Sequence, residues 1–307
     1  MASLDIIASL LGIFVAIAGM TIALYSWRPT GNKNNLHSTT EDARTQTFTL
    51  AIDKIGSKSA GDRIAGIKSL AELADSWPYG RQACIDILCA YLRVPTKIGV
   101  DISDGSTGQN EALGRGRLEE SSVRGSVLRT IAEHLHENAS SRWHGCVFDL
   151  TGAVLDGGTF SGVAFTGGTK LIFRNAVFGG GTIDFSGSIF KDSVVDFSGA
   201  TFSGGTVNFS RTEFSGGLII FRNSSLAGGF IDFSDALFRD GEIDFSGSSF
   251  SGGAISFSNS SLSGAKIDFR RAEFAGGMVD FRGVNNFNSP PKFDDFSSGR
   301  PNKLFLP

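Results

Sequence analysis

The chain has 307 residues, enough for one or two domains with a sizeable core. Its 28 Lys+Arg against 31 Asp+Glu leave a formal net charge of −3, which excludes a polybasic binder of nucleic acid or lipid. Composition is segregated: 25 of the 27 Phe and 27 of the 40 Gly follow residue 140, so the second half reads as a repeat, and irregular Gly spacing excludes collagen. Three cysteines (Cys84, Cys89, Cys146) cannot all pair, which fits a reducing compartment.

Residues 1–30 read as a transmembrane anchor. Ile6 to Trp27 is an uncharged stretch of 22 residues, roughly 33 Å as a helix, against a hydrocarbon core of about 30 Å. No Lys or Arg precedes it, and it exceeds a signal-peptide core, so a cleaved signal is disfavoured. Tyr25 and Trp27 fall at the expected interface, and Arg28, Lys33 and Arg44 on the carboxyl side place the large remainder in the cytoplasm by the positive-inside rule. The expected location is the cell membrane, single-pass. Ala8, Gly12 and Ala16 form a small-residue stripe on one helix face, a contact through which two anchors would form a homodimer.

Residues 31–43 are polar and read as a linker, and 44–140 as a helical domain. Thr45 to Ile55 is a short amphipathic candidate. From Asp62 to Ser76, Ile64, Ile67, Leu70, Ala71 and Ala74 recur at helical spacing. The third pattern starts near Ser76 and Pro78 and buries Ile87, Leu88, Tyr91 and Leu92. A loop over about 96–118 precedes a fourth helix carrying Val127, Leu128, Ile131 and Leu135.

Motifs for chemistry fail here one by one. Asp101 to Ala112 has the outline of a calcium loop, but Ser103 and Gly105 stand where carboxylate or amide ligands belong. Gly114 to Arg117 lacks the strand that a phosphate-cradling loop follows. His134, His136, His144 and Cys146 carry metal-ligand types, yet two histidines two apart on a helix diverge by about 200°. Cys84 and Cys89 read as core thiols rather than a redox pair. No catalytic, cofactor or metal residue is assigned.

Residues 141–288 carry the repeat, and 289–307 form a C-terminal tail. From Phe148 the period is five, with Leu150, Leu155, Phe160 and Phe165 central, one short strand to each unit. From Phe173 to Phe281 a Phe recurs every twelve residues, and a second series at Phe178, Phe190, Phe202, Phe214, Leu226, Phe238, Phe250, Leu262 and Phe274 is offset by five. The unit approximates I-D-F-S-G-S-x-F-S-G-G-x, with Ile183 and Phe185 inward around an outward Asp184. Steps of five and seven alternate, and Gly-Gly in the seven-residue steps is expected to supply positive φ at a wider corner. The expected turn spans two of these units rather than one. Two units to a turn separate most Asp residues of the outward rows and leave room inside for the Phe rings. Those Asp rows are assigned to a solvated β face.

These units resemble the pentapeptide-repeat proteins. The resemblance implies an all-β, right-handed quadrilateral β-solenoid, here preceded by a small α-helical segment and one N-terminal transmembrane helix. The layout is similar to bacterial membrane-anchored members: an anchor, a segment like IGSKSAGDRIAGIKSLAELA (Ile55 to Ala74), glycine-rich repeats, and the tail SPPKFDDF…LFLP. The helical segment and the Asn288–Pro291 stretch are expected to cap the two ends, the latter because its prolines cannot extend a ladder.

Function follows from what the rows lack. No His lies after residue 144 and no Cys after 146, so a nucleophile with its base has no place on the repeats. The expected role is a non-enzymatic, membrane-tethered scaffold for an unknown protein partner. The resemblance also implies an alternative, a DNA-mimicking binder of a type II topoisomerase. That role wants an acidic rod, whereas residues 141–307 hold 16 Asp+Glu and 14 Lys+Arg. Nucleic acid itself is not an expected partner.

Overall fold

The computed structural model describes residues 35–95, 107–286, 289–294 and 304–305. The proposed anchor at 1–30 lies outside the described residues, as do 101–106 of the rejected calcium-like loop. Among the described residues no helix is long and apolar enough to cross a membrane. The chain divides into two compact units, residues 1–94 and 95–307.

Among the described residues the first unit holds three helices, α1 (Asn35–Ile55), α2 (Ala60–Ser76) and α3 (Arg81–Arg93). The expected linker is therefore helical from Asn35 onward. Glu41 and Arg44 pair at 3.0 Å along α1, and Phe48, Ala51 and Ile55 are buried in the packing of α1 on α2, which outweighs the polar composition. Ser59 caps α2 by accepting from the Asp62 N–H. α3 starts later than the apolar pattern suggests. Trp77 is buried, and the Gly80 N–H closes a turn onto its carbonyl at 3.0 Å, so Ser76 to Gly80 connect the helices. Cys84 and Cys89 are wholly buried in α3, and burial pushes the Cys84 thiol up to about 12.

In the second unit, α4 (Thr107–Leu135) precedes the repeat. The loop expected over 96–118 is helical from Thr107, and Gly114 to Arg117 sit within it. α4 packs on the first turn of the coil: Val123, Val127, Leu128 and Ile131 are buried, and Arg124 Nη2 donates to the Val154 carbonyl at 2.7 Å. The sequence pattern groups this helix with the other three, whereas its contacts are with the repeat.

The repeat coils into a β-solenoid of about six turns. Thr201 pairs in parallel with Val177 below and Ser225 above, so one turn takes two twelve-residue units, as the spacing of the Asp rows predicts. Each turn contributes four short strands. In the third turn they are Ser193–Asp196, Thr201–Phe202, Thr206–Asn208 and the start of Glu213–Ile220, and these define four faces. The opening turn is built from the five-residue units, one to each face. Its strands pair Val154 with Val177 and Ala164 with Ile189, one position short of the regular offset and then one beyond it. The change arises because the first seven-residue step, Phe178 to Phe185, falls between those pairs.

Four stacked columns fill the interior. Phe173, Phe197, Phe221, Phe245, Phe269 and Phe293 form one, with centroids 4.7–5.1 Å apart and planes within 11°. Neighbouring columns meet at steeper angles, as Phe185 does Phe190 at 62°. Ile and Val two residues before half of these rings complete the core on the first and third faces, as Val195 and Val207 show. Small residues take that place elsewhere, and Ser188 Oγ donates to the Phe160 carbonyl at 2.7 Å rather than leave a buried hydroxyl unpaired.

The corners differ from the expected arrangement. Positive φ falls mainly in the five-residue steps, at Asn175, Gly187, Gly199, Arg211, Asn223, Asp235, Gly247, Asn259, Arg271 and Gly283. Most Gly-Gly pairs meet a different need. A Cβ on Gly228 or Gly252 would stand 2.8 or 2.4 Å from a carbonyl oxygen of the turn below. Close stacking lets the N–H groups of Ala227, Gly228 and Gly229 converge on the Phe202 carbonyl at 3.0–3.3 Å. Gly216 and Gly217 do adopt positive φ, at 114° and 91°, as do Gly167 and Gly168, and Gly205 does so at 71°.

The tail also corrects an expectation. Immediately after Pro290 and Pro291, Lys292 bridges to Asp268, donates to the Ile267 carbonyl and accepts from the Phe269 N–H, each at 2.8 Å. Leu304–Phe305 then pairs with Val279 and Asp280. The lost N–H of Pro291, one residue before Lys292, would point away from the preceding turn, so the prolines do not prevent a bridge from forming at Lys292.

Candidate interaction surface

The first face carries a two-turn pattern at its outer positions. Ile172, Asp196, Ile220, Asp244 and Asp268 stack in one row. The row two residues on reads Arg174, Ser198, Arg222, Ser246 and Arg270. Where a turn has Ile it also has Arg, and where it has Asp it usually has Ser. Arg174 Nε donates to Asp196 Oδ2 at 2.6 Å, and Arg222 Nε reaches Asp244 in the same way. Arg270 instead grips Asp268 of its own turn through both Nε and Nη2.

These carboxylates are structural. Asp196 and Asp244 are only 2% and 4% exposed, whereas the arginine side chains remain 58% and 59% exposed. Asp196 Oδ1 accepts from the N–H and the hydroxyl of Ser198, and the same turn-closing N–H bond is donated by Ser186 to Asp184, by Ser246 to Asp244 and by Arg282 to Asp280. Burial pushes the Asp196 carboxyl up, but the Ser198 and Arg174 bonds outweigh it and hold the group below its ordinary range. Asp268 and Asp280 are held low chiefly by the hydrogen bonds of Arg270 and Arg282. The assignment of the Asp rows to a solvated face is therefore corrected on the first face. The side chains point outward, but the neighbouring turn and the next Ser or Arg cover them.

The first and fourth faces are continuous. Glu213–Ile220 and Leu237–Asp244 run through the corner between them, bulged near Ser215, and join the strands on either side into one nine-stranded sheet. On its outer surface Leu218 is 41% and Ile189 36% exposed, with Val194, Ile220 and Leu237 half-buried beside them. A shallow recess at the corner is lined by Ser193, Gly217, Leu218, Asp240 and Glu242.

The residues with metal-ligand types do not converge. His134 stacks on Trp143 at 4.0 Å, His136 lies past the end of α4, and His144 Nδ1 meets Thr166 Oγ1 at 3.0 Å. Among the described residues no group of three or more His, Cys, Asp or Glu is placed to hold a metal ion. The sequence alternation shows which residues face outward. It carries no sign of the Arg–Asp pairs, which join residues 22 apart across turns.

No curated protein and no solved structure matches the chain. Residues 150–201 match a family model described as pentapeptide repeats (9 copies). This stretch forms the opening turns, and the same coil continues through Asp280 in parallel register. The chain thus carries pentapeptide repeats, folded as a β-solenoid of about six turns behind an α-helical region.

Proposed function

We propose that the protein is a non-enzymatic scaffold, tethered to the cell membrane by Ile6–Trp27 with its large C-terminal part in the cytoplasm. In this reading it is a membrane-anchored pentapeptide-repeat protein whose coil is right-handed and quadrilateral. A protein partner is recognised by the shape of the rod. The observation that carries the reading is the continuous sheet of the first and fourth faces. It combines exposed Leu218 and Ile189 with the guanidinium groups of Arg174 and Arg222. An eight-residue strand of about 26 Å and six turns of about 4.8 Å give this surface roughly 750 Å², close to one side of a standard protein interface.

The duplex-mimic alternative needs carboxylates displayed to solvent like phosphates. Burial of Asp196, Asp244, Asp268 and Asp280 favours the scaffold reading over it. The test has two parts. A reporter cysteine in the 31–34 segment should resist an impermeant thiol reagent applied to intact cells, and crosslinked protein recovered from membranes should fall with Leu218→Ser and Ile189→Ser together. Labelling from outside would overturn the orientation. Supercoiling inhibition by the purified chain at sub-micromolar concentration would favour the alternative.

A further inference from the structure

We infer that the merged first and fourth faces take an acidic amphipathic helix, laid along the solenoid axis and held by Arg174 and Arg222. The inference rests on the scaffold reading and names the chemistry of its partner. Each of these arginines uses Nε on its aspartate, and among the described residues nothing else is bonded to its outer nitrogens. The paired carboxylates are buried while the guanidinium groups are more than half exposed, so the charge offered at these two positions is positive, with Asp240 and Glu242 set apart at the corner recess. Arg270 commits both Nε and Nη2 to Asp268, which leaves two open forks.

Spacing selects the partner's form. Arg174 and Arg222 occupy equivalent positions two turns apart, about 10 Å along the axis. Carboxylates seven residues apart on an α-helix are about 10.5 Å apart on one face, and the residues between them at three and four also face the same way. In an extended strand, residues about 10 Å apart are three positions on and point to opposite sides. Ser198 lies between the two arginines, and Val194, Leu218 and Ile220 lie beside them on the first face, where the intervening apolar residues of a helix would cover them. A phosphate backbone offers nothing for them to cover. A second copy, antiparallel about a twofold at Leu218, would set Arg222 against itself and Lys170 against Lys266, so this face is poorly suited to self-association.

The test uses the full-length chain in mild detergent and a fluorescein-labelled helical peptide of about 20 residues, long enough for five turns. The peptide carries Glu at two positions seven apart and Leu at the third and fourth positions between them. Saturable binding is expected, at least tenfold tighter than that of a peptide with Lys for Glu or with the Glu residues five apart. Arg222→Lys keeps a cation beside Asp244 but removes the planar fork, so affinity should fall about tenfold at an unchanged melting temperature. Leu218→Ser should weaken binding comparably. No saturable binding to the wild-type chain overturns the inference, as does displacement of the peptide by a short DNA duplex of equal affinity. Loss with Leu218→Ser but not with Arg222→Lys also overturns it, and leaves the scaffold reading standing. Binding that ignores both substitutions removes this face from the scaffold reading as well.

Discussion

Arg174 donates from Nε to Oδ2 of Asp196 one turn above at 2.6 Å, while Ser198 closes on the other oxygen of the same carboxylate. One side chain thereby ties two turns together and completes its own corner. Asp196→Ala removes all these acceptors at a buried position and should cost about 1–3 kcal/mol. Asp196→Asn keeps an oxygen for the Ser198 N–H and should cost less. Arg174→Ala should cost least, because the arginine is mostly exposed and the carboxylate keeps its Ser198 bonds. Chemical denaturation of the three variants gives the order, and a neutral Asp196→Ala would contradict it.

The pairs also set the response to acid. Asp196, Asp268 and Asp280 have folded-state pKa values below those of the unfolded chain. Their contribution is complete above the unfolded carboxylate range, about pH 4, and is lost as pH falls through the folded values. The melting temperature should be nearly flat from pH 8 to pH 5 and drop below pH 4. Asp268→Asn combined with Asp280→Asn should melt lower at pH 7 and lose less on acidification. Melting curves followed by circular dichroism measure both, and a midpoint that rises toward pH 3 would refute the account.

Much of this fold is legible before any coordinates. The two-unit turn follows from two constraints, repulsion within an Asp row and room for two Phe per half-turn, and the observed registers obey both except where Asp268 stacks on Asp244. The helices are legible in their apolar faces and less so at their ends, since packing on α2 extends α1 through a polar stretch. The roles of Gly228 and Gly252 are hidden because close approach to the turn below is a relation between residues a full turn apart. The Arg–Asp pairs are hidden for the same reason. Alternation fixes the side on which a residue lies, and says nothing of what its neighbour in the next turn does there.

At the corner after the first face Gly alternates with a larger residue from turn to turn, whereas after the third face Arg211, Asp235 and Asn259 follow one another. Asn175 and Gly199 are equivalent positions in successive turns, with φ of 54° and 69°. A Cβ on Gly199 would stand 2.3 Å from Asn175 Oδ1, and Gly247 stands in the same relation to Asn223. Gly199→Ala therefore meets both a backbone penalty and a collision, and should cost about 2 kcal/mol or more. Asn175→Gly in the same chain should recover the steric part, giving a coupling near ~1 kcal/mol in a double-mutant cycle. Strict additivity would show that the two residues do not meet.

The same alternation makes the first face repeat chemically every second turn, although the coil itself repeats every turn. Deleting the full turn 198–221 joins Phe197 to Arg222 and restores every aromatic column. It also brings Asn223 over Asn175, where the intact chain places Gly199. The shortened rod should fold with helix and sheet signals intact, less stable by the lost turn and by this collision. Asn223→Gly should then stabilise the deletion by about 1 kcal/mol more than it does the full-length chain. Removing only the half-turn 198–209 should cost more. The inward rings would still stack, but later corners and Arg–Asp partners would move to the opposite face. Removing a single five-residue step breaks the alternation and should prevent cooperative folding. Thermal melts of these variants and of the full-length chain test the series. Equal stability of the full-turn and half-turn deletions, or no added gain from Asn223→Gly, would show that the stacked aromatics alone set the register.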